Sequence, residues 1–269
     1  MNIVRNFRVA ALCAFAVAGG ATAQSYDSVV SQVTERVNAR DCAGALAGLQ
    51  AGLAENRPAV ALLAGTMYER GVCLKPDWDT AVGHYIVAHD GGEKAAAYRL
   101  AAGYAAPMGG PDPAAALWWF GKSASGVKWL GTCAVPPADR IDPDRFVAVL
   151  QTWAPARIAG CNYVTGLIAT LSAEIQFSRE IRRARQAGTL HARILPALGT
   201  IDVWTAVDSG VFSAAEAPET AFMRRAARPS SLENVIRKMA DAALARYPQP
   251  PGLDPAWTQT VQITYGQDW

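Results

Sequence analysis

Residues 60–91 can be laid over residues 96–126 at an offset of 35 or 36 positions. This pairs Tyr68 with Tyr104, Asp77 with Asp112, Ala81 with Ala116, Tyr85 with Phe120 and Ala88 with Ser123. Such a period is the length of a helix–turn–helix repeat, a unit that cannot bury its apolar face alone and must stack on a neighbour. The residue types suit that geometry. Ala61, Ala64, Gly65, Ala81 and Ala88 let paired helices approach closely, while Tyr68, Tyr85, Tyr104, Trp119 and Phe120 fill the space between pairs. Gly71 is placed to end one helix and Asp77 to cap the next, and the second copy repeats the plan with Pro107, Gly109, Gly110 and Asp112. A further helix over about Cys42 to Leu53 reads as a half-repeat cap.

Ahead of the repeats, Arg5 and Arg8 precede an apolar run from Val9 to Ala18 and then the small residues Gly19 to Ala23. This is the order of a secretory signal peptide, with cleavage predicted after Ala23. The run is about half the roughly 20 residues a spanning helix needs, and no later stretch is expected to cross a bilayer. Cleavage removes two arginines and no acids, so the formal charge of +2 falls to about zero. A near-neutral chain does not imply nucleic-acid or anionic-membrane binding. Four cysteines remain: Cys42, Cys73, Cys133 and Cys161. An even number in an exported chain reads as disulfides, and four allow three pairings. Pairing Cys42 with Cys73 and Cys133 with Cys161 closes loops of about 30 residues within one segment each, and is the expected connectivity.

After Gly126 the period is lost. Pro136, Pro137 and Pro143 mark a connection, a helix is predicted from about Pro143 to Ala159, and Tyr163 to Ala173 bridges onward in a conformation the pattern does not fix. A basic helix is expected over Arg179 to Ala187, then strands over Thr189 to Leu195 and Thr200 to Val207. A long amphipathic helix follows from about Leu232 to Arg246, then the turn Pro248 to Gly252, and a closing strand of alternating Val261, Ile263 and Tyr265. The fold class is therefore α+β, a helical repeat unit followed by a small layer of antiparallel sheet on helix.

Motifs that carry chemistry are weak. His84 and His89 are five apart on one helix and point to different faces, and His191 lies on a strand beside Arg193. Gly121-Lys122-Ser123 imitates the end of a phosphate loop without its first glycine or a preceding strand. Asp77 and Asp79 are better explained as helix-capping residues than as an acid/base pair. No catalytic residue, metal site or cofactor is expected. An enzyme of cell-wall metabolism would need a polar cleft around a perturbed carboxylate such as Glu174 or Asp202. Arg179, Arg182, Arg183 and Arg185, with Arg224, Arg225 and Arg228, form either a solvated face or a weak contact for acidic surfaces.

The pattern Ala64-Gly65, Tyr68, Gly71, Leu74, Asp77, Ala81, Tyr85, Ala88 and Gly92 resembles the Sel1-like repeat family, relatives of tetratricopeptide repeats. Leu100, Tyr104, Ala116, Trp119, Phe120, Lys122 and Ala124 form its second copy. Cys73 stands where the family has the second glycine of its turn, which favours its pairing with Cys42. The last 95 or so residues resemble the C-terminal domain of TonB and TolA-like envelope proteins, on Ala184-Arg185, Gly188-Thr189-Leu190, Gly199-Thr200-Ile201, Pro248 to Pro251 and Val261 to Tyr265. Ser178 replaces the family's proline, and Ala217 to Ser231 interrupts its pattern. These resemblances divide the chain into a signal peptide (1–23), a Sel1-like domain (24–130), a disulfide-linked helical bridge (131–170) and a TonB-like domain (171–269). They imply a non-enzymatic adaptor, periplasmic or secreted, that binds protein partners in the cell envelope. Tyr104, Trp118 and Trp129 on the repeats, and Val261, Ile263 and Tyr265 on a strand edge open to strand addition, are the implied contact residues. An immunity protein that occludes a toxin is the alternative.

Overall fold

The computed structural model describes residues 27–106, 110–123, 131–177, 188–207 and 231–265; the side chains of 176–177, 188, 205–207, 231–232 and 264–265 stand outside the description. The leader (1–23), Trp129, the arginines at 179, 182, 183, 185, 224, 225 and 228, the basic helix expected after Arg179 and the Tyr265 side chain all lie outside the described residues.

Aspartates start most of the helices. Asp27 caps α1 (Ser28–Asn38), Asp41 caps α2 (Cys42–Ala54), Asp77 caps α4 (Trp78–Asp90), Asp112 caps α6 (Pro113–Lys122) and Asp142 caps α7 (Pro143–Gln151). Each carboxylate accepts a backbone N–H two or three residues on, at 2.8 to 3.0 Å, satisfying a donor the first turn would leave open. The Asp77 carboxyl is held below its ordinary range, first by the Thr80 N–H. Between them stand α3 (Pro58–Arg70) and α5 (Lys94–Ala105). Gly71 ends α3 in the left-handed region at φ 66°, against the Pro76 ring.

The helices α3 and α4, then α5 and α6, pair as consecutive hairpins. Small residues set the spacing as the sequence pattern requires. A methyl on Gly65 would stand 2.6 Å from the Tyr85 ring, and one on Gly103 only 1.8 Å from the Trp78 ring. Tyr85 and Phe120 are fully buried between helices, whereas Tyr68, Tyr104 and Trp119 are half-buried.

Two predictions about the middle of the chain are corrected. The helix expected from Pro143 to Ala159 is broken: α7 ends at Gln151, and Pro155 starts a new helix, α8 (Pro155–Phe177), that runs through the whole segment left unassigned. At 23 residues it is about 35 Å long. The second correction concerns membrane-spanning length, since Pro155–Ile175 is long and apolar enough to cross a bilayer. It is apolar all round because it is the central helix of the fold: 78 % of its window is buried, against α5, α6, α9 (Ser231–Arg246) and the sheet.

That sheet is antiparallel in the order β2–β1–β3, with β1 (Gly188–Leu195), β2 (Thr200–Val207) and β3 (Gln259–Tyr265). His191 lies opposite Trp204 and Gln262, and Ala192 opposite Val203 and Val261. Alternation puts Leu190, Ala192, Ile194, Val203, Val261 and Ile263 into the core, and His191, Arg193, Asp202 and Trp204 on the other face. The described chain is thus mostly helical with a small antiparallel sheet.

Both expected disulfides form. Cys42–Cys73 ties the start of α2 to the α3–α4 turn, and Cys133–Cys161 ties a short 3-10 turn (Gly131–Cys133) to α8. Two disulfides are a feature of chains that mature in an oxidising, non-cytoplasmic compartment.

Candidate functional site

The charged side chains around α8 are matched to one another. Arg99 on α5 is buried, and its guanidinium donates to Glu174 on α8 at 2.7 Å; the more exposed Arg70 pairs with the same carboxylate. Burial alone pushes Glu174 up, but Arg99 and Arg70 outweigh it and hold its carboxyl below the ordinary range. Nearby, Glu69 accepts from the Tyr85 hydroxyl at 2.7 Å and from Arg246 at 3.0 Å. Burial pushes the Tyr85 hydroxyl well up, so it remains a donor. Glu174, the carboxylate singled out for acid/base work, is therefore held as a counter-ion. A general acid near neutral pH needs the opposite shift. Asp202 pairs with Arg193 at 2.7 Å on the open face of the sheet.

A concavity is formed toward the other end of α8. It is a pocket of about 350 Å³ between the α5–α6 connection, the first half of α8 and the segment after α9. Pro155, Ile158, Ala159 and Asn162 recur at three- and four-residue intervals, so they share one face of α8. Opposite them stand Pro111 and Pro113 from the start of α6, and Tyr247, Pro248 and Pro250 from the chain leaving α9. Five prolines fix φ around the rim and present no N–H, so the rim is apolar and preformed. Tyr247 is locked in place. Its hydroxyl donates to the Ala102 carbonyl at 2.7 Å and meets Thr170 Oγ1 at 2.9 Å, while its ring lies where a methyl on Gly166 would come within 2.6 Å.

Asn162 carries the polar atoms of the floor. Its amide nitrogen donates to the Ala105 carbonyl at 3.1 Å, which fixes the other atom as the oxygen; that oxygen is buried without a partner among the described residues. Leaving such an acceptor unpaired costs about 1–3 kcal/mol. The volume is at the low end of the roughly 300–1,000 Å³ typical of ligand sites, enough for one ring-sized group.

The residues singled out from sequence fall elsewhere. Tyr104 packs edge-on against Trp78 at 5.4 Å, and Trp118 against Phe146 at 5.3 Å with Lys122 over its ring. Both are half-buried packing residues adjoining the core. Val261 and Ile263 are buried, and among the described strands β3 is an edge strand. His84 stacks on Tyr68 and His89 meets Trp119 edge-on, while His191 stacks on Trp204 at 5.4 Å. Among the described residues no three potential ligands group as a metal site. The pocket itself was missed, because its walls come from three separated segments; the proline pair at 248 and 250 was its one local trace and read as a turn. Compared with family models, with curated proteins and with solved structures, the chain matches none.

Proposed function

We propose that this chain is a non-enzymatic protein–protein interaction module of the bacterial cell envelope, held rigid by two disulfides and presenting the proline-rimmed pocket to its partner. On this reading the α3–α4 and α5–α6 hairpins are Sel1-like repeats, the sheet with α9 is the TonB-like unit, and the compartment is the periplasm. The observation that carries the reading is the contrast between two features along α8: the pocket is apolar and preformed, while Glu174 is held ionised by two arginines. Preformed apolar concavities with a few fixed polar groups bind; a carboxylate with a depressed pKa is a poor proton donor at neutral pH.

The test is site-specific photocrosslinking in intact bacteria expressing the full precursor. A photoreactive residue at Ala159, on the pocket wall, should give a discrete protein adduct that the same probe at the remote, exposed Lys75 does not. Equal, diffuse labelling from both positions, or a precursor kept in the cytosol with reduced thiols, removes the reading.

A further inference from the structure

The two disulfides occupy unlike environments. Cys133 and Cys161 are 3 % and 2 % exposed, and Cys161 lies inside α8. Cys42, by contrast, is exposed at the first position of α2, and Cys73 is half-exposed in a turn with a left-handed backbone at φ 61°, a conformation β-carbon-bearing residues adopt reluctantly. A thiolate at a helix N-terminus is stabilised by the helix dipole and the open N–H groups of the first turn. The neighbouring Asp41 carboxylate opposes this, but its charge is matched by Arg36 at 2.9 Å. Cys42 is thus the better leaving group of its pair, and Cys73 the sulfur to be attacked.

We infer that Cys42–Cys73 is a reducible disulfide that exchanges with a dithiol oxidoreductase of the C-x-x-C class, whereas Cys133–Cys161 is structural. The exchange balances as two transfers. A thiolate of the reductant attacks Cys73 Sγ, the Cys42–Cys73 bond breaks, and Cys42 leaves as a thiolate that takes up a proton. The second thiol of the reductant then attacks its own sulfur in the mixed disulfide, so the reductant becomes a disulfide and Cys73 leaves as a thiol. Two electrons pass to the pair. Opening the bond unclips the start of α2 from the α3–α4 turn, while the packing of Val33, Leu49, Val60 and Met67 that joins α1 to α3 stays in place. The device operates whatever the pocket binds.

The mature chain is incubated natively with dithiothreitol, or with thioredoxin as the C-x-x-C probe, then alkylated and mapped by mass spectrometry. Cys42 and Cys73 should be labelled about ten-fold faster or more than Cys133 and Cys161. Thioredoxin lacking its resolving cysteine should be trapped on Cys73. Equal rates for the two pairs, labelling of Cys42 and Cys73 only in denaturant, or trapping on Cys133 or Cys161 overturns the assignment. Far-ultraviolet circular dichroism of the selectively reduced chain separates exchange from unfolding: retained helix supports it, and helix loss in step with labelling overturns it.

Discussion

Replacing Glu174 by leucine takes from the buried guanidinium of Arg99 the carboxylate it donates to at 2.7 Å. The Arg99 side chain is 3 % exposed and that of Glu174 is 23 % exposed. Breaking a buried pair by removing one partner costs about 3–5 kcal/mol. Partial access of water to Glu174 and the remaining pull of Glu69 on Arg99 place this case at about 3 kcal/mol. Arg70 serves the same carboxylate but is 45 % exposed, so Arg70→Ala should cost under about 1 kcal/mol. Arg99→Met leaves Glu174 with Arg70 and water and should cost about 1–2 kcal/mol. The double variant Arg99→Met/Glu174→Leu removes both charges together, and its cost should fall to about 1 kcal/mol or less. The coupling between the two sites is then about 3–4 kcal/mol, read from urea unfolding by tryptophan fluorescence with both disulfides oxidised and the slope unchanged. If Glu174→Leu costs no more than Arg70→Ala, the ion pair is not what holds α5 against α8.

The same carboxylate sets a pH dependence. Its folded pKa lies below the ordinary 4.5, so its contribution is complete above that value and is lost as pH falls through the depressed one; the urea midpoint should drop below about pH 4.5, and less so in Glu174→Gln. Glu93, raised first by burial, works in the opposite sense and shallows the slope. Removing either disulfide by a double Cys→Ala change should cost about 3.5 kcal/mol, since the sequence separations of 31 and 28 are nearly equal; a difference above about 1.5 kcal/mol in urea unfolding would contradict the chain-entropy account. Gly103→Ala drives a methyl into the Trp78 ring and should destabilise by about 1–3 kcal/mol or more, whereas Gly83→Ala, with open space around it, should be neutral or slightly stabilising in the same assay.

Local signals were legible wherever a short stretch settles the outcome by itself. Asp77 and Asp112 read as caps because a capping aspartate needs only the N–H groups two or three residues ahead, and both carboxylates accept them. The strands around Pro196 and Gly199 read correctly because alternation and a turn signal lie within twenty residues, and Gly199 takes the left-handed φ of 61°. The cysteine pairing was legible through loop length. The helix α8 was not, because beyond its exposed first turn it is buried on nearly every side and shows no polar stripe: Gly160, Gly166, Thr165, Thr170 and Ser172 break the apolar run without marking a face. Gly166 is there because the Tyr247 ring, 81 residues on, occupies the space of a β-carbon. The candidate site suffers the same limit. Asn162 and Tyr163 carry no pattern until α5 and the segment after α9 are brought against them.

The position of α8 also decides how the repeat-like and sheet-containing parts relate energetically. One buried apolar cluster runs from Tyr98 on α5 through Phe120 and Leu167 to Leu190 and Ile263 on the sheet. Interfaces between separable units tend to be more polar and loosely packed. Here Tyr247, at the end of α9, bonds through its hydroxyl both to Thr170 on α8 and to the carbonyl of Ala102 on α5, so one side chain fastens the C-terminal segment to both helices. The Glu69–Arg246 pair adds a second tie, from α3 to α9. The pocket is formed at this seam, and its wall residue Tyr247 is also a fastening residue. Its shape therefore depends on packing of the whole chain. Arrangements that move the segment after α9 relative to α5 and α8 would change the outline of the pocket, because Tyr247, Pro248 and Pro250 form one of its walls.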